Sequence, residues 1–224
     1  MNAYEEVCHW EKTEAVQTLR RCGLANGMTA MDLGCGLAHY TIPAAIAVGV
    51  EGRVIAVDKD KKPLKAAHQR IQDAELSNVE VLCANHLDLA HIPDSSIDFI
   101  MIYDMIHTNA RVEMYPVIKR LLKPSGILSF LAFGEIRIRK NPQGVLVKSD
   151  NGKNITDSFD DALNQLRGEI ESFEFEPHSI IENEGVHFDH FHSPYHWKRY
   201  GEVRLHSLER GNIHNYLNVK EVRV

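Results

Sequence analysis

Segments typical of β-strands alternate with segments typical of α-helices along most of this chain. The strand-like segments are TAMDL, GRVIAVD, NVEVLCA, IDFIMIYD and, after a KPSG sequence that predicts a turn, ILSFLAF. The helix-like segments between them are TIPAAIAVGV, DKKPLKAAHQRIQDAEL and RVEMYPVIKRLL. This alternation predicts a doubly wound α/β fold, in which a mostly parallel sheet carries helices on both faces.

Signals that begin a helix support two of these segments. Asp60 stands where an N-cap residue is expected, and Pro43 and Pro63 fall in first helical turns, where a missing backbone N–H costs little. The N-terminal segment CHWEKTEAVQTLRRCGL also has the pattern of a helix.

The pattern changes after Phe133. EIRIRKNPQGVLVKS predicts a hairpin with NPQG as its turn, DDALNQLRGEI predicts a helix, and HSIIE and NIHNYLNV predict closing strands, one of them antiparallel. Because we find no linker, we expect a single domain over 1–224. Its core covers about 11–133, and its substrate side, over 134–224, contains the hairpin, the helix and a histidine-rich tail.

The composition is that of an ordinary globular protein, with 44% hydrophobic and 25% charged residues. A net charge of −6 argues against a nucleic-acid partner, and no apolar run approaches the length of a membrane span. The polar, acidic start MNAYEEVCHWEKTE does not resemble a signal peptide. The 4 cysteines form no CxxC pair, which indicates reduced thiols and predicts a cytoplasmic protein.

The glycine-rich sequence AMDLGCGLAHYT follows the first predicted strand. Gly34 and Gly36 allow a tight turn and a close approach of the backbone to a ligand, and the next helix offers free N–H groups to an anionic group. The second strand ends in Asp58, whose carboxylate can accept hydrogen bonds from both hydroxyls of a ribose. Its distance along the chain from the glycines is close to the roughly 20 residues that dinucleotide sites use.

Two common phosphate-binding motifs fit this loop poorly. A nicotinamide fingerprint has a third glycine where this chain has His39, a bulky side chain that would hinder close helix–strand packing. A P-loop is excluded because no GK[ST] sequence follows.

MDLGCGLAHYT resembles the first motif of the class I S-adenosylmethionine-dependent methyltransferases. VIAVDKD, VEVLCANHLDL, PDSSIDFIMIYDMIH and LLKPSGILSF are similar to the family's second, third, fourth and sixth motifs, in the same order. The resemblance covers roughly Glu11 to Phe133. Within the family, the chain is most similar to the small-molecule group that includes the ubiquinone- and menaquinone-biosynthesis C-methyltransferases.

The resemblance implies which residues would hold S-adenosylmethionine. Asp32 would act indirectly toward the amino group of the methionine part, and the loop of Gly34, Cys35 and Gly36 would lie along it with its backbone. Asp58 would hold the ribose hydroxyls.

The same resemblance places two residues near the adenine. Lys59 would lie beside the ring. Asn85 stands where the family usually has Asp, and its side-chain carbonyl could still accept a hydrogen bond from the adenine amino group. Ala38 replaces the third glycine of the family's loop, which is a mild change.

The function implied is transfer of a methyl group to a small-molecule acceptor by in-line displacement, for which alignment of the reactants matters most. A general base is needed only when the nucleophile is poorly ionised. The fourth strand ends at Tyr103, and His107 lies one turn further on, so we predict both as catalytic candidates. His107 would contact substrate or act as a base; alternatively, it is a helix-start histidine bonded to backbone.

The histidine-rich tail GVHFDHFHSPYHW has two interpretations. His187, His190, His192 and His196, with Asp189, have the chemistry of a Zn, Fe or Ni site. No HExxH or CxxC pattern supports a metal, so we expect instead a loop whose aromatic residues line a substrate pocket.

Two other functions remain open. One is a nicotinamide-dependent oxidoreductase, and the other is a methyltransferase-like module that binds the cofactor, or a metal, without turnover. The expected partner is a small-molecule methyl acceptor, with no nucleic acid and no membrane. The sequence leaves the acceptor and the oligomeric state open.

Overall fold

A computed structural model of the chain describes residues 2–85, 88–103, 111–133, 138–140, 146–148, 159–186, 188 and 210–219. The helices are α1 (Ala3–Lys12), α2 (Glu14–Arg21), α3 (Thr41–Val48), α4 (Lys61–Asp73), α5 (Arg111–Leu121) and α6 (Phe159–Glu171). The strands are β1 (Thr29–Leu33), β2 (Arg53–Asp58), β3 (Val79–Cys83), β4 (Ile97–Met101), β5 (Leu122–Phe133), β6 (Ile138–Lys140), β7 (Leu146–Lys148), β8 (Phe175–Val186) and β9 (Arg210–Asn218).

One seven-stranded sheet has the order β3-β2-β1-β4-β5-β9-β8. The strands from β1 to β5 run parallel, whereas β9 is antiparallel to both of its neighbours, β5 and β8. The order reverses between β1 and β4, and such a switch point creates a crevice at the carboxyl ends of the strands. The predicted doubly wound fold with an antiparallel closing strand is therefore confirmed.

The central strands are buried on both of their faces. Four consecutive residues of β1, from Ala30 to Leu33, are buried, and β4 shows almost the same pattern. Because successive side chains of a strand point to opposite faces, such continuous burial requires cover on both sides of the sheet. Helix α3 is also buried along most of its length, which fixes the loop between β1 and α3 against the core.

The predicted hairpin after Phe133 is confirmed as a separate antiparallel pair, β6 and β7. Its predicted turn lies outside the described residues. The two predicted closing strands are also confirmed as β8 and β9, although β8 is longer than HSIIE suggests.

Three local predictions were wrong. The predicted turn at 123–126 lies within β5, as an irregularity between Leu122 and Ile127, which pair with Ile97 and Phe99 of β4. Asp60 holds the N-cap position of α4, but its side chain makes no capping hydrogen bond; its backbone N–H donates to Asp58. The predicted N-terminal helix is divided into α1 and α2, since the backbone of Thr13 leaves the helical region.

The cysteines at 8, 22, 35 and 83 all carry free thiols. Within the described part of the chain, no helix is long and apolar enough to cross a membrane.

Candidate functional site

The glycine loop between β1 and α3 lies at the switch point of the sheet. The N–H groups of Gly34 and Cys35 both donate to the carbonyl of Val57, at 2.8 and 3.0 Å, so the loop is attached to the end of β2. Gly36 has a φ of +51°, and a Cβ built on it would meet no atom within 4 Å. The backbone at Gly36 therefore faces open space that a ligand can approach closely.

Asp58, at the end of β2, is oriented by two backbone hydrogen bonds. The N–H of Gly36 donates to its Oδ2 and the N–H of Asp60 donates to its Oδ1, both at 2.9 Å. Each carboxylate oxygen has two lone-pair positions, so both oxygens keep capacity for a further donor. A half-buried carboxylate fixed in this way suits two adjacent hydroxyl groups.

Asp32, two residues before Gly34, connects the strand to the following helix. Its side chain is buried, and its Oδ2 accepts a 2.6 Å hydrogen bond from the hydroxyl of Thr41, the first residue of α3. This bond spans the glycine loop and holds its two ends together.

The thiol of Cys35 is buried beneath the same loop. Burial, followed by the negative charges of Asp32 and Asp58, raises the pKa of the Cys35 thiol far above its ordinary value. The thiol therefore stays protonated at neutral pH.

Lys59 and Asn85 flank the same edge of the sheet, and both are exposed. They come close because β2 and β3 end side by side: Asp58 pairs with Cys83, and the N–H of Ala84 donates to the carbonyl of Asp58 at 3.1 Å. The predicted cofactor residues therefore lie along one edge, on the ends of three adjacent structural elements.

Tyr103 follows β4 and is almost fully buried. Its hydroxyl shares a 2.8 Å hydrogen bond with Oγ of Ser129 on β5, and its ring meets that of Tyr40 edge to face with centroids 4.5 Å apart. Burial, with a contribution from Cys22, raises the pKa of Tyr103 well above its ordinary value. The hydroxyl is therefore protonated at neutral pH, and the catalytic role of Tyr103 stays a prediction.

An aromatic cluster that the sequence did not reveal packs behind the glycine loop. Phe188 stacks on the His39 ring with centroids 4.1 Å apart and lies 5.3 Å from the Trp10 ring, which in turn contacts Tyr40. The Tyr40 hydroxyl donates to the carbonyl of Val186 and accepts from its N–H, at 2.8 and 2.7 Å. The end of β8 is thus held against the loop. Contacts so distant in sequence leave no periodic signal.

A second unpredicted feature is a buried ionic cluster of Glu11, Arg70 and His39. Nη2 of Arg70 donates to Oε2 of Glu11 at 2.7 Å, and Nδ1 of His39 donates to Oε1 at 2.6 Å. Burial alone would raise the pKa of Glu11, but the bond and charge of His39 and the charge of Arg70 together lower that pKa below its ordinary value. His39 stands where a nicotinamide fingerprint has its third glycine, and its ring is held there by the hydrogen bond to Glu11.

The remaining predicted site residues lie outside the described residues: His107, Asp189 and the tail histidines His187, His190, His192 and His196. Among the residues that the structure does describe, no group of three or more His, Cys, Asp or Glu side chains could hold a metal ion.

Solved structures of other proteins have the same fold. A SAM-dependent methyltransferase from Aquifex aeolicus aligns with 94% of this chain and 92% of its own, at a TM-score of 0.63 and 19% identity. A geranyl diphosphate C-methyltransferase from Streptomyces coelicolor aligns with 97% of this chain and 84% of its own, at a TM-score of 0.63 and 12% identity. At such low identities these structures show the fold alone.

Sequence comparison gives a partial match to curated proteins and a broad match to one family. Demethylmenaquinone methyltransferase from Geobacillus stearothermophilus is 32% identical over 119 residues, which is 53% of this chain and 49% of that protein. The chain thus spans about half the length of the curated relatives it matches. A family model described as a methyltransferase domain matches residues 24–185. These residues include the glycine loop, Asp58 and, in chain order, the strands from β1 to most of β8. The chain therefore belongs to the methyltransferase domain family.

Proposed function

We propose that this protein binds S-adenosylmethionine at the glycine loop and transfers its methyl group to a small-molecule acceptor. The observation that carries the proposal is the carboxylate of Asp58, which is fixed by the N–H groups of Gly36 and Asp60 beside a backbone that faces open space. The family membership and the S-adenosylmethionine-dependent fold relatives support this choice of cofactor.

The described residues fit such a molecule. Asp58 has one free acceptor position on each oxygen for the two ribose hydroxyls. The open space at Gly36 would accommodate the chain that follows the ribose, with Asp32 and the backbone of Gly34 and Cys35 at its methionine end. Lys59 and Asn85 lie at the exposed edge, where the adenine would be held.

Bound S-adenosylmethionine would supply an activated methyl group on a positively charged sulfur. The protein would then have to hold the acceptor in line with that methyl group and exclude water, which requires few catalytic side chains. His107 remains our candidate for contact with the acceptor or for proton removal, because an imidazole titrates near neutral pH. Tyr103 would pack beneath the site through its hydrogen bond with Ser129 and its contact with Tyr40.

The acceptor is proposed from the relatives' names. Because matched curated proteins are demethylmenaquinone methyltransferases, a reduced demethylmenaquinone-type naphthoquinol is the first acceptor to test. The residues that would determine acceptor specificity lie in the hairpin and in the histidine-rich tail.

A labelled-methyl assay tests the proposal. The protein is incubated with S-adenosylmethionine carrying a labelled methyl group and the naphthoquinol, with wild type, Asp58→Ala and Asp60→Ala compared. Asp60 is the matched control, because it lies two residues away and its side chain makes no capping bond. We expect label in the acceptor with wild type and Asp60→Ala, and a large loss with Asp58→Ala.

Other outcomes separate the alternatives. Cofactor binding without transfer to any of a panel of phenols, quinols and activated carbons would favour a binding module without turnover. Binding of NADH in preference to S-adenosylmethionine would contradict the proposal and favour an oxidoreductase.

A further inference from the structure

The ionic cluster of Glu11, Arg70 and His39 joins three separate parts of the chain. Glu11 lies in the last turn of α1, Arg70 on α4, and His39 at the end of the glycine loop. Their exposed fractions are only 1%, 7% and 7%. Ionisable side chains so deeply buried lose most of their hydration, so each must be compensated by its partners.

Stability alone does not explain such a cluster. Removing two charges from water costs several kcal/mol per ion, and apolar residues of similar volume often stabilise a protein as well or better. A buried ionic cluster does fix the relative orientation of its side chains, because each of its hydrogen bonds holds two groups in one geometry.

The geometry fixed here is that of the loop backbone. Nη1 of Arg70 donates to the carbonyl of Leu37, while His39 is bonded through its ring to Glu11. Ala38 lies between Leu37 and His39 and has a φ of +67°. That left-handed conformation costs a residue with a Cβ roughly 1–2 kcal/mol, so an external restraint is required to maintain it.

The restrained segment is continuous with the proposed cofactor site. Leu37 follows Gly36 directly, and the N–H of Gly36 binds the Asp58 carboxylate. A change in the backbone at Leu37 and Ala38 would therefore alter the orientation of the N–H that holds Asp58.

We propose that Glu11 is a positioning residue of the cofactor site, which acts with Arg70 and His39 to hold the glycine loop in its binding conformation. Glu11 does not touch the cofactor; it acts through Leu37, Ala38 and His39. This inference rests on the proposed function, since it assumes that the glycine loop binds S-adenosylmethionine.

The test compares the affinity for S-adenosylhomocysteine with the melting temperature in the same variants. Glu11→Gln removes the charge but keeps the side-chain shape, and the double variant Glu11→Leu with Arg70→Met replaces the ion pair by apolar side chains. Glu80→Gln is the matched control, because it removes a carboxylate from an exposed ion pair with Arg53, where little stability is at stake.

We expect Glu11→Gln to bind S-adenosylhomocysteine at least tenfold more weakly than wild type at a temperature where it is fully folded. The double variant should recover a melting temperature close to that of wild type but not its affinity. Wild-type affinity in the double variant, or in a folded Glu11→Gln protein, would overturn the positioning role. If wild type itself fails to bind, the proposed function fails first.

Hydrogen exchange provides a second readout if the double variant does not fold. The N–H of Ala38 donates to the carbonyl of Cys35 at 2.8 Å. Arg70→Lys keeps the positive charge but loses the fork that reaches two acceptors. Faster exchange confined to peptides covering 35–40 is the expected result, whereas an unchanged rate there, or a uniform rise that includes β4, would contradict the proposal.

Discussion

The N–H of Gly36 and Oδ2 of Asp58 lie 2.9 Å apart, and this bond joins the loop after β1 to the end of β2. Gly36 lies in the loop after β1, and Asp58 ends β2, the parallel neighbour of β1 on the side away from the switch point between β1 and β4. The same bond fixes the carboxylate that we propose for the ribose hydroxyls, so the loop and the acid function as one unit.

Gly36→Ala tests whether the space beside the loop is used by a ligand. The positive φ at Gly36 makes an alanine there unfavourable by about 1 kcal/mol, and its methyl group would enter the open space. We expect this small loss of stability together with at least a tenfold loss of affinity for S-adenosylhomocysteine, measured by calorimetry and thermal unfolding.

Gly27→Ala is the matched control for that variant. Gly27 also has a positive φ, +80°, and a Cβ there would meet no atom within 4 Å, but the residue lies before β1, away from the loop. It should lose similar stability and keep its affinity. If Gly36→Ala bound S-adenosylhomocysteine as tightly as Gly27→Ala and wild type, no ligand would occupy the space at Gly36.

The stability contributed by Glu11 should depend on pH in a defined direction. Because the partners of Glu11 hold its pKa below the ordinary value in the folded state, the unfolded state binds a proton first as the pH falls. The contribution is therefore complete above the ordinary glutamate pKa and is lost as the pH falls through the folded value. Urea unfolding of wild type and Glu11→Gln between pH 7 and pH 3 measures it. A difference in unfolding free energy that stays constant across this range would contradict the ion pairing.

Tyr40→Phe should destabilise the contact between the glycine loop and β8. The lost hydroxyl leaves both the buried N–H and the buried carbonyl of Val186 without the partner described above, which costs about 1–3 kcal/mol. Urea unfolding provides the measurement. No change in unfolding free energy for Tyr40→Phe would show that these two bonds contribute nothing.

Tyr103→Phe decides whether this tyrosine takes part in catalysis. If its buried hydroxyl serves only Ser129, the variant should lose about 1 kcal/mol of stability and retain methyl-transfer activity with an unchanged pH profile. A general base typically contributes a rate factor of about 100 or more. A loss of activity of that size in a folded variant would instead confirm the sequence-based prediction.

The elements that the sequence predicted correctly are those with local causes. The buried strands β1 and β4 are mostly apolar, and the glycines of the loop stand where positive φ values require them. Asp58 could be identified because it ends a strand at a suitable distance from Gly36 along the chain.

The features that the sequence did not predict depend on contacts between distant residues. Glu11 is 28 residues from His39 and 59 from Arg70, and Tyr40 is 146 from Val186, so no local pattern marks these partners. The turn predicted from KPSG was wrong for a related reason, since pairing of Leu122 with Ile97 extends β5 past the Pro and Ser residues.

Calorimetric titration of wild type and Asp58→Ala with S-adenosylhomocysteine tests the proposed cofactor site most directly. Hydrogen bonds to a charged group contribute about 1.5–3 kcal/mol each, so losing two of them should weaken binding by roughly 100-fold or more. We predict measurable binding by wild type and such a loss in a folded Asp58→Ala protein. Equal affinities would contradict the ribose contact, and the absence of binding by wild type would contradict the proposed function itself.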